Sequence, residues 1–90
     1  MHVLKIYVSG LSPYLSRSME KLQKVLDEKF KGQYTLKIID ILENPELSAE
    51  DNIFATPTIV RSLPEPLLKM IGDISNTEKI MVGLELMDGN

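Results

Sequence analysis

Ser75-Asn76-Thr77-Glu78-Lys79-Ile80-Met81-Val82-Gly83-Leu84-Glu85-Leu86 carries two contradictory instructions. Its opening is a capping box, Ser followed three residues later by Glu, which predicts a helix start. Its body alternates: Ile80, Val82, Leu84 and Leu86 recur at period two, a strand-like pattern, although a helix suits the same residues almost equally. Gly83 in the middle costs a helix ~1 kcal/mol relative to Ala. Glu85 near a helix C-terminus opposes the macrodipole. Either tertiary packing overrides weak local signals, or the segment has two accessible packings that differ by a few kcal/mol. The rest of the chain sets what this segment can pack against.

The N-terminal half reads without conflict. Val3-Leu4-Lys5-Ile6-Tyr7-Val8-Ser9-Gly10 is a β-branched and aromatic run ended by a Ser-Gly breaker, hence a strand. Pro13 falls in the turn, and a helix follows Ser16 with apolar positions at Met19, Leu22, Val25, Leu26 and Phe30 on one face. Lys29 and Lys31 suit the helix C-terminus, and Gly32 stops it. Tyr34 to Ile41 is a second strand, so the half is a right-handed βαβ unit with parallel strands.

Beyond it the elements shorten. Asn44-Pro45-Glu46 has a cap followed by Pro at the first helical position, and opens an acidic helix of two turns at most. Ala55 to Leu63 favours strand around Thr58-Ile59-Val60, Pro64 and Pro66 interrupt, and Leu67 to Ile71 makes another strand before Gly72-Asp73.

Composition narrows the function classes. Ninety residues make one domain, 1–90, with 43% apolar and 26% charged residues, ordinary for a globular chain. There is no cysteine, so no disulfide, thiol nucleophile or thiolate metal site is available. A single histidine, His2, lies next to the N-terminus and is a poor candidate for catalysis or metal. Metal and cofactors are expected to be none. Residues 1–37 hold seven Lys/Arg against three Asp/Glu, and residues 38–90 hold three against ten, giving halves of +4 and −7 and a total of −3. Such polarity suits a protein that offers different faces to different partners. Five aromatics and an acidic total argue against nucleic acid, and the apolar runs are too short to span a membrane. A cytoplasmic location is expected, since Met-His-Val-Leu-Lys does not resemble a signal peptide.

Ala55-Thr56-Pro57-Thr58 resembles the Thr-Pro step of a thioredoxin-type fold. Enzymes of that type carry two cysteines where the first strand turns into the first helix; here Ser12-Pro13-Tyr14-Leu15 stands there. Further pieces complete a second, closer resemblance. They are Leu4-Lys5-Ile6-Tyr7-Val8-Ser9-Gly10 with Ser12-Pro13, then Leu36-Lys37-Ile38-Ile39-Asp40-Ile41-Leu42 with Asn44-Pro45. Glu50-Asp51, Leu63-Pro64, Ile71-Gly72-Asp73 and Glu78-Lys79 follow in order and almost without gaps. From Val3 to about Met87 the chain is similar to the KaiB family, the small partner of the circadian-clock ATPase KaiC.

That resemblance implies an α/β, thioredoxin-like chain whose C-terminal half has two folds. One is βαββααβ in a self-associated form, a homotetramer or dimer; the other is βαβαββα, a monomer that docks on a KaiC-like ATPase. It also implies contact with a KaiA-like protein or a clock histidine kinase. It places Arg17, Thr35, Lys37, Arg61 and Lys69 at partner-binding positions, and Thr56, Pro57, Pro64, Gly83 and Glu85 at positions governing the fold switch. The Thr56–Pro57 bond is expected to be cis in the thioredoxin-like form. Asn52, Leu68 and Glu65 depart from the family's lysine, arginine and proline. These departures keep open a redox-inactive adaptor or stress-response protein with another partner. No catalytic residue emerges, so a non-enzymatic regulator is expected.

Overall fold

The first strand takes the centre of the sheet. In the computed structural model, which describes residues 1–87, β1 (His2–Val8) lies between β2 (Tyr34–Asp40) and β3 (Thr58–Leu63). The last residues of the expected domain, 88–90, lie outside that range. β1 runs parallel to β2 and antiparallel to β3, and β4 (Leu68–Ile71) pairs antiparallel with β3, giving the order β2-β1-β3-β4. Three helices complete the chain: α1 (Pro13–Phe30), α2 (Pro45–Glu50) and α3 (Thr77–Gly83). The element order is therefore βαβαββα, the thioredoxin-like one of the two expected arrangements.

The central position of β1 follows from its composition. Leu4, Ile6 and Val8 enter a core shared with Met19, Leu22 and Leu26 of α1 and with Ile80, Met81, Leu84 and Leu86. Tyr7, on the opposite face, joins Ile39 and Val60 in a smaller core closed by Ile41, Leu47 and Ile53. A strand apolar on both faces belongs between other strands.

Helix α1 starts earlier than the sequence suggests. Ser12 is its cap, its hydroxyl accepting from the Leu15 amide at 3.1 Å, and Pro13 occupies the first turn rather than a preceding loop. Pro loses nothing there, because that N–H has no intrahelical partner. The helix stops as expected: Lys31 turns left-handed at φ 49° and Gly32 follows at φ 86°.

The contested segment is a helix, displaced by one residue from its sequence signal. Asn76, not Ser75, is the cap, its side-chain oxygen accepting from the Lys79 amide at 3.0 Å. The Ser75 N–H goes instead to the Asp73 carboxylate at 2.8 Å. Val82, which the alternating pattern would bury with its neighbours, is 59% exposed, while Met81 is buried. Burying Ile80, Met81, Leu84 and Leu86 stabilises by roughly 1.5–3 kcal/mol each, which outweighs the ~1 kcal/mol penalty of Gly83. Leu86 reaches the core because the chain reverses just after the helix. The Glu85 amide donates to the Val82 carbonyl at 3.1 Å and the Leu86 amide to the Met81 carbonyl at 2.6 Å. That is a Schellman turn, and Glu85 holds its left-handed position at φ 55°.

Candidate partner-binding face of the sheet

Strand register brings three lysines into line. Lys5 on β1 is opposite Lys37 on β2 and Val60 on β3, and Val60 is opposite Lys69 on β4. Residues at one register level share a face, so Lys37, Lys5, Val60 and Lys69 form a row across all four strands, spaced by about 4.8 Å per strand. Val60 lies in the smaller core, which fixes that face as the one carrying α2.

With only six residues, α2 covers the upper part of this face, over Tyr7 and Ile39. The row lies at the edge of that cover. Asp51, just past the end of α2, accepts from the Lys5 ammonium at 3.2 Å and from the Tyr7 hydroxyl at 2.6 Å. The Lys69 ammonium donates to the Asn52 carbonyl at 3.2 Å. Two lysines thus satisfy the chain leaving α2, and Lys37 makes no such bond among the described residues and stays exposed. Thr35, one step further along the face and opposite Val3, is exposed as well.

The electrostatics of this cluster are settled by its partners. Burial works to raise the Asp51 pKa, but the Tyr7 hydroxyl, the Lys5 ammonium and the nearby Lys69 charge outweigh it, and the carboxyl ionises below its usual range. Burial first, and then the Asp51 carboxylate, push the Tyr7 hydroxyl up, so it remains a donor at any physiological pH. The exposed remainder of the row is a fixed positive edge beside a neutralised interior.

Thr35, Lys37 and Lys69 are therefore brought together on one face. Arg17 is not with them: it is exposed on α1, which packs on the other side of the sheet, beside Tyr14, Lys21 and Ser75. Arg61 is not on the surface. It is 4% exposed, and its guanidinium donates to the carbonyls of Leu84 at 3.1 Å and Pro66 at 2.9 Å. Its side chain alternates with Val60 onto the α1 and α3 side of the sheet, and in this fold it serves the chain's own interior. Lys5, Tyr7 and Asp51 went unnoticed as a group in the sequence. Period two puts Lys5 and Tyr7 on one face, yet the strands that flank them and the return of Asp51 are fixed only by topology.

The positions that the resemblance assigns to a fold switch scatter around the C-terminal half. The Thr56–Pro57 bond is cis, as expected, and the Thr56 hydroxyl shares a hydrogen bond of 2.9 Å with that of Ser9. Pro64 is exposed in the connection from β3 to β4. Gly83 ends α3, and Glu85 occupies the turn after it. At the mouth of α1, where a thioredoxin-type enzyme would hold its cysteines, Ser12 is committed to capping and the Tyr14 hydroxyl donates to Asp73 at 3.2 Å. No group of three or more potential metal-ligating side chains occurs among the described residues. None of their helices is long and apolar enough to cross a membrane.

A mixed four-stranded sheet, α1 and α3 on one face and α2 on the other, with a cis Thr-Pro step and no cysteine, defines a thioredoxin-like protein without a redox pair. The chain belongs to the KaiB family: the KaiB domain model matches residues 5–86. It is 49% identical over 86 residues to the circadian clock oscillator protein KaiB of Thermostichus vulcanus, covering 96% of this chain and 80% of that protein. It is 48% identical over 86 residues to KaiB1 of a Synechocystis strain, covering 96% of this chain and 82% of that one. Among solved structures, mitochondrial thioredoxin 3 of Saccharomyces cerevisiae superposes with a TM-score of 0.72 at 18% identity, over 96% of this chain and 78% of that one. The N-terminal domain of Synechococcus elongatus SasA gives 0.65 at 18% identity, over 99% and 88%. These two likenesses establish the fold.

Proposed function

We propose that this chain is a non-enzymatic regulator that binds a KaiC-like ATPase in its βαβαββα form. The observation that carries the reading is the lysine row, which gathers Lys37 and Lys69 with Thr35 on a face that α2 leaves partly open. A positive edge of this kind selects an acidic partner surface and speeds its encounter. Disulfide exchange is closed to a chain without thiols, which leaves binding as the use of the fold.

In this reading the free chain populates a self-associated form of order βαββααβ, and the ATPase draws out the βαβαββα monomer. The partner shifts that equilibrium only by its differential affinity, and a 1:99 minority needs ~2.7 kcal/mol to reach parity. Support comes from the segment Ser75–Leu86, whose period-two apolar pattern suits a strand although the structure folds it as a helix and turn. Co-elution with a KaiC-like ATPase on size exclusion tests the proposal. A single co-eluting complex is expected, and two species eluting apart at tens of micromolar would refute the proposal.

One observation favours a second reading, an adaptor with a different partner. Leu11, Tyr14 and Phe54 are 60%, 53% and 89% exposed. Leu11 and Tyr14 flank the cap of α1 and Phe54 precedes the Thr56–Pro57 step, so all three lie at one end of the sheet, away from the lysine row. Binding of the ATPase that survives Lys37→Glu but fails on Phe54→Ser would move the interface to that end.

A further inference from the structure

Arg61 is a buried cation with no buried anion. Its side chain is almost wholly enclosed, and the ion pair found among the described residues, Lys5 with Asp51, does not involve it. What surrounds the guanidinium is backbone: the Leu84 carbonyl at 3.1 Å, where α3 ends, and the Pro66 carbonyl at 2.9 Å, in the connection between β3 and β4. Its third donor group, Nε, is buried without a partner. A charge held in this way depends on every dipole aimed at it, because an isolated buried charge is far more costly than an isolated buried amide. The Leu84 carbonyl is well placed, since the C-terminal end of a helix presents partial negative charge.

The two carbonyls come from separate segments that share no other hydrogen bond among the described residues. One is the Pro64–Pro66 connection leading to β4; the other is the Schellman turn that folds Leu86 into the core. If either leaves, the guanidinium keeps one carbonyl and must itself move toward water. We infer that Arg61 is a latch that makes the β3–β4 connection and the end of α3 open and close as one cooperative unit. The geometry also explains why an arginine suits this place: its planar fork serves two acceptors in different directions at once. The inference concerns the chain alone and holds whichever partner it binds.

Native-state hydrogen exchange across a urea series tests it, read at the amides of β4 and at those of Leu84 and Leu86. In the wild type the two sets are expected to merge onto one opening isotherm below global unfolding. In Arg61→Met they are expected to separate, with Leu84 and Leu86 exchanging about tenfold or more faster than β4. Arg61→Lys, whose ammonium has donors for both carbonyls, is expected to restore the merged isotherm. Separate isotherms in the wild type overturn the proposal, and so does a merged isotherm in Arg61→Met. Should Arg61→Met fail to fold, Arg61→Gln, whose amide reaches one carbonyl, takes its place with the same expected separation. Global stability is not the readout, because replacing a buried charge by an apolar side chain can itself stabilise.

Discussion

Gly83 is pressed against Met70: a β-carbon built on the glycine would lie 2.2 Å from the methionine sulfur and 2.8 Å from its methyl. The contact joins the last residue of α3 to β4, and it changes what Gly83 means. From sequence it is a weak point of the helix whose replacement by Ala should favour the helical state. In the structure the added methyl requires the Met70 side chain to leave its place.

Gly83→Ala is accordingly expected to change stability by less than ~0.5 kcal/mol, the helical gain of ~1 kcal/mol being offset by displacement of Met70. In a Met70→Ala background the same change should recover that ~1 kcal/mol. A double-mutant cycle by urea denaturation checks this; a coupling near zero would show that the contact has no energetic weight.

Glu85 sits in the left-handed position of the turn after α3, where a side chain is unfavourable by ~1 kcal/mol or more and Gly is not. Glu85→Gly should raise the stability of this fold by about that amount. Glu85→Arg keeps the strained backbone and gains only from the helix dipole, ~0.3–1 kcal/mol. The order Gly, then Arg, then Glu in melting temperature tests the assignment; Arg above Gly would point to the charge rather than the backbone.

The Asp51 anchor of α2 makes stability depend on pH with a definite sign. Its carboxyl ionises below the ordinary range in the folded chain, so the unfolded chain binds the proton more readily. The contribution is fully present above about pH 5 and is lost as pH falls through the folded pKa. Asp51→Asn should remove ~1–3 kcal/mol at pH 7 and reduce the acid-side slope. Unfolding free energies from pH 2 to 7 for both chains decide the matter, and parallel curves would exclude Asp51 as their source.

The free charge of the row is Lys37, and it can be reversed without touching Asp51 or the chain after α2. Lys37→Glu should weaken binding to a KaiC-like ATPase about tenfold or more at low salt, with a smaller difference at 0.5 M salt and unchanged melting. Arg17→Glu, on the other side of the sheet, is expected to have the smaller effect. Equal losses for both would mean that the partner reaches around the edge of β2.

Much of this fold was legible in the chain. The βαβ half followed from Val3–Gly10, the Met19–Leu26 stripe and Tyr34–Ile41, because long periodic segments carry their own evidence. α1 begins before Ser16 because Ser12 caps it, and in the sequence only Pro13 at the first helical position distinguishes Ser12 from Ser16. The contested C-terminus was decided by contacts distant in sequence, with Leu86 turned into the core by a left-handed Glu85 that no local propensity announces. Of the candidate site, Thr35 with Lys37 was legible from strand alternation. Lys5 and Lys69 joined them through strand order, and Arg61, a basic residue in a β-branched strand, read as surface charge because its two carbonyl partners lie 5 and 23 residues away.

The claim that the lysine face of the βαβαββα form engages the ATPase is tested most directly by amide hydrogen exchange of the chain with and without a saturating KaiC-like ATPase. Thr35–Ile38 on β2 and the amides of β4 should gain protection in the complex, while Leu84, bonded to the Ile80 carbonyl, and Leu86, bonded in the Schellman turn, keep the protection they have here. Unchanged exchange on β2 and β4 in a saturated complex would contradict the account.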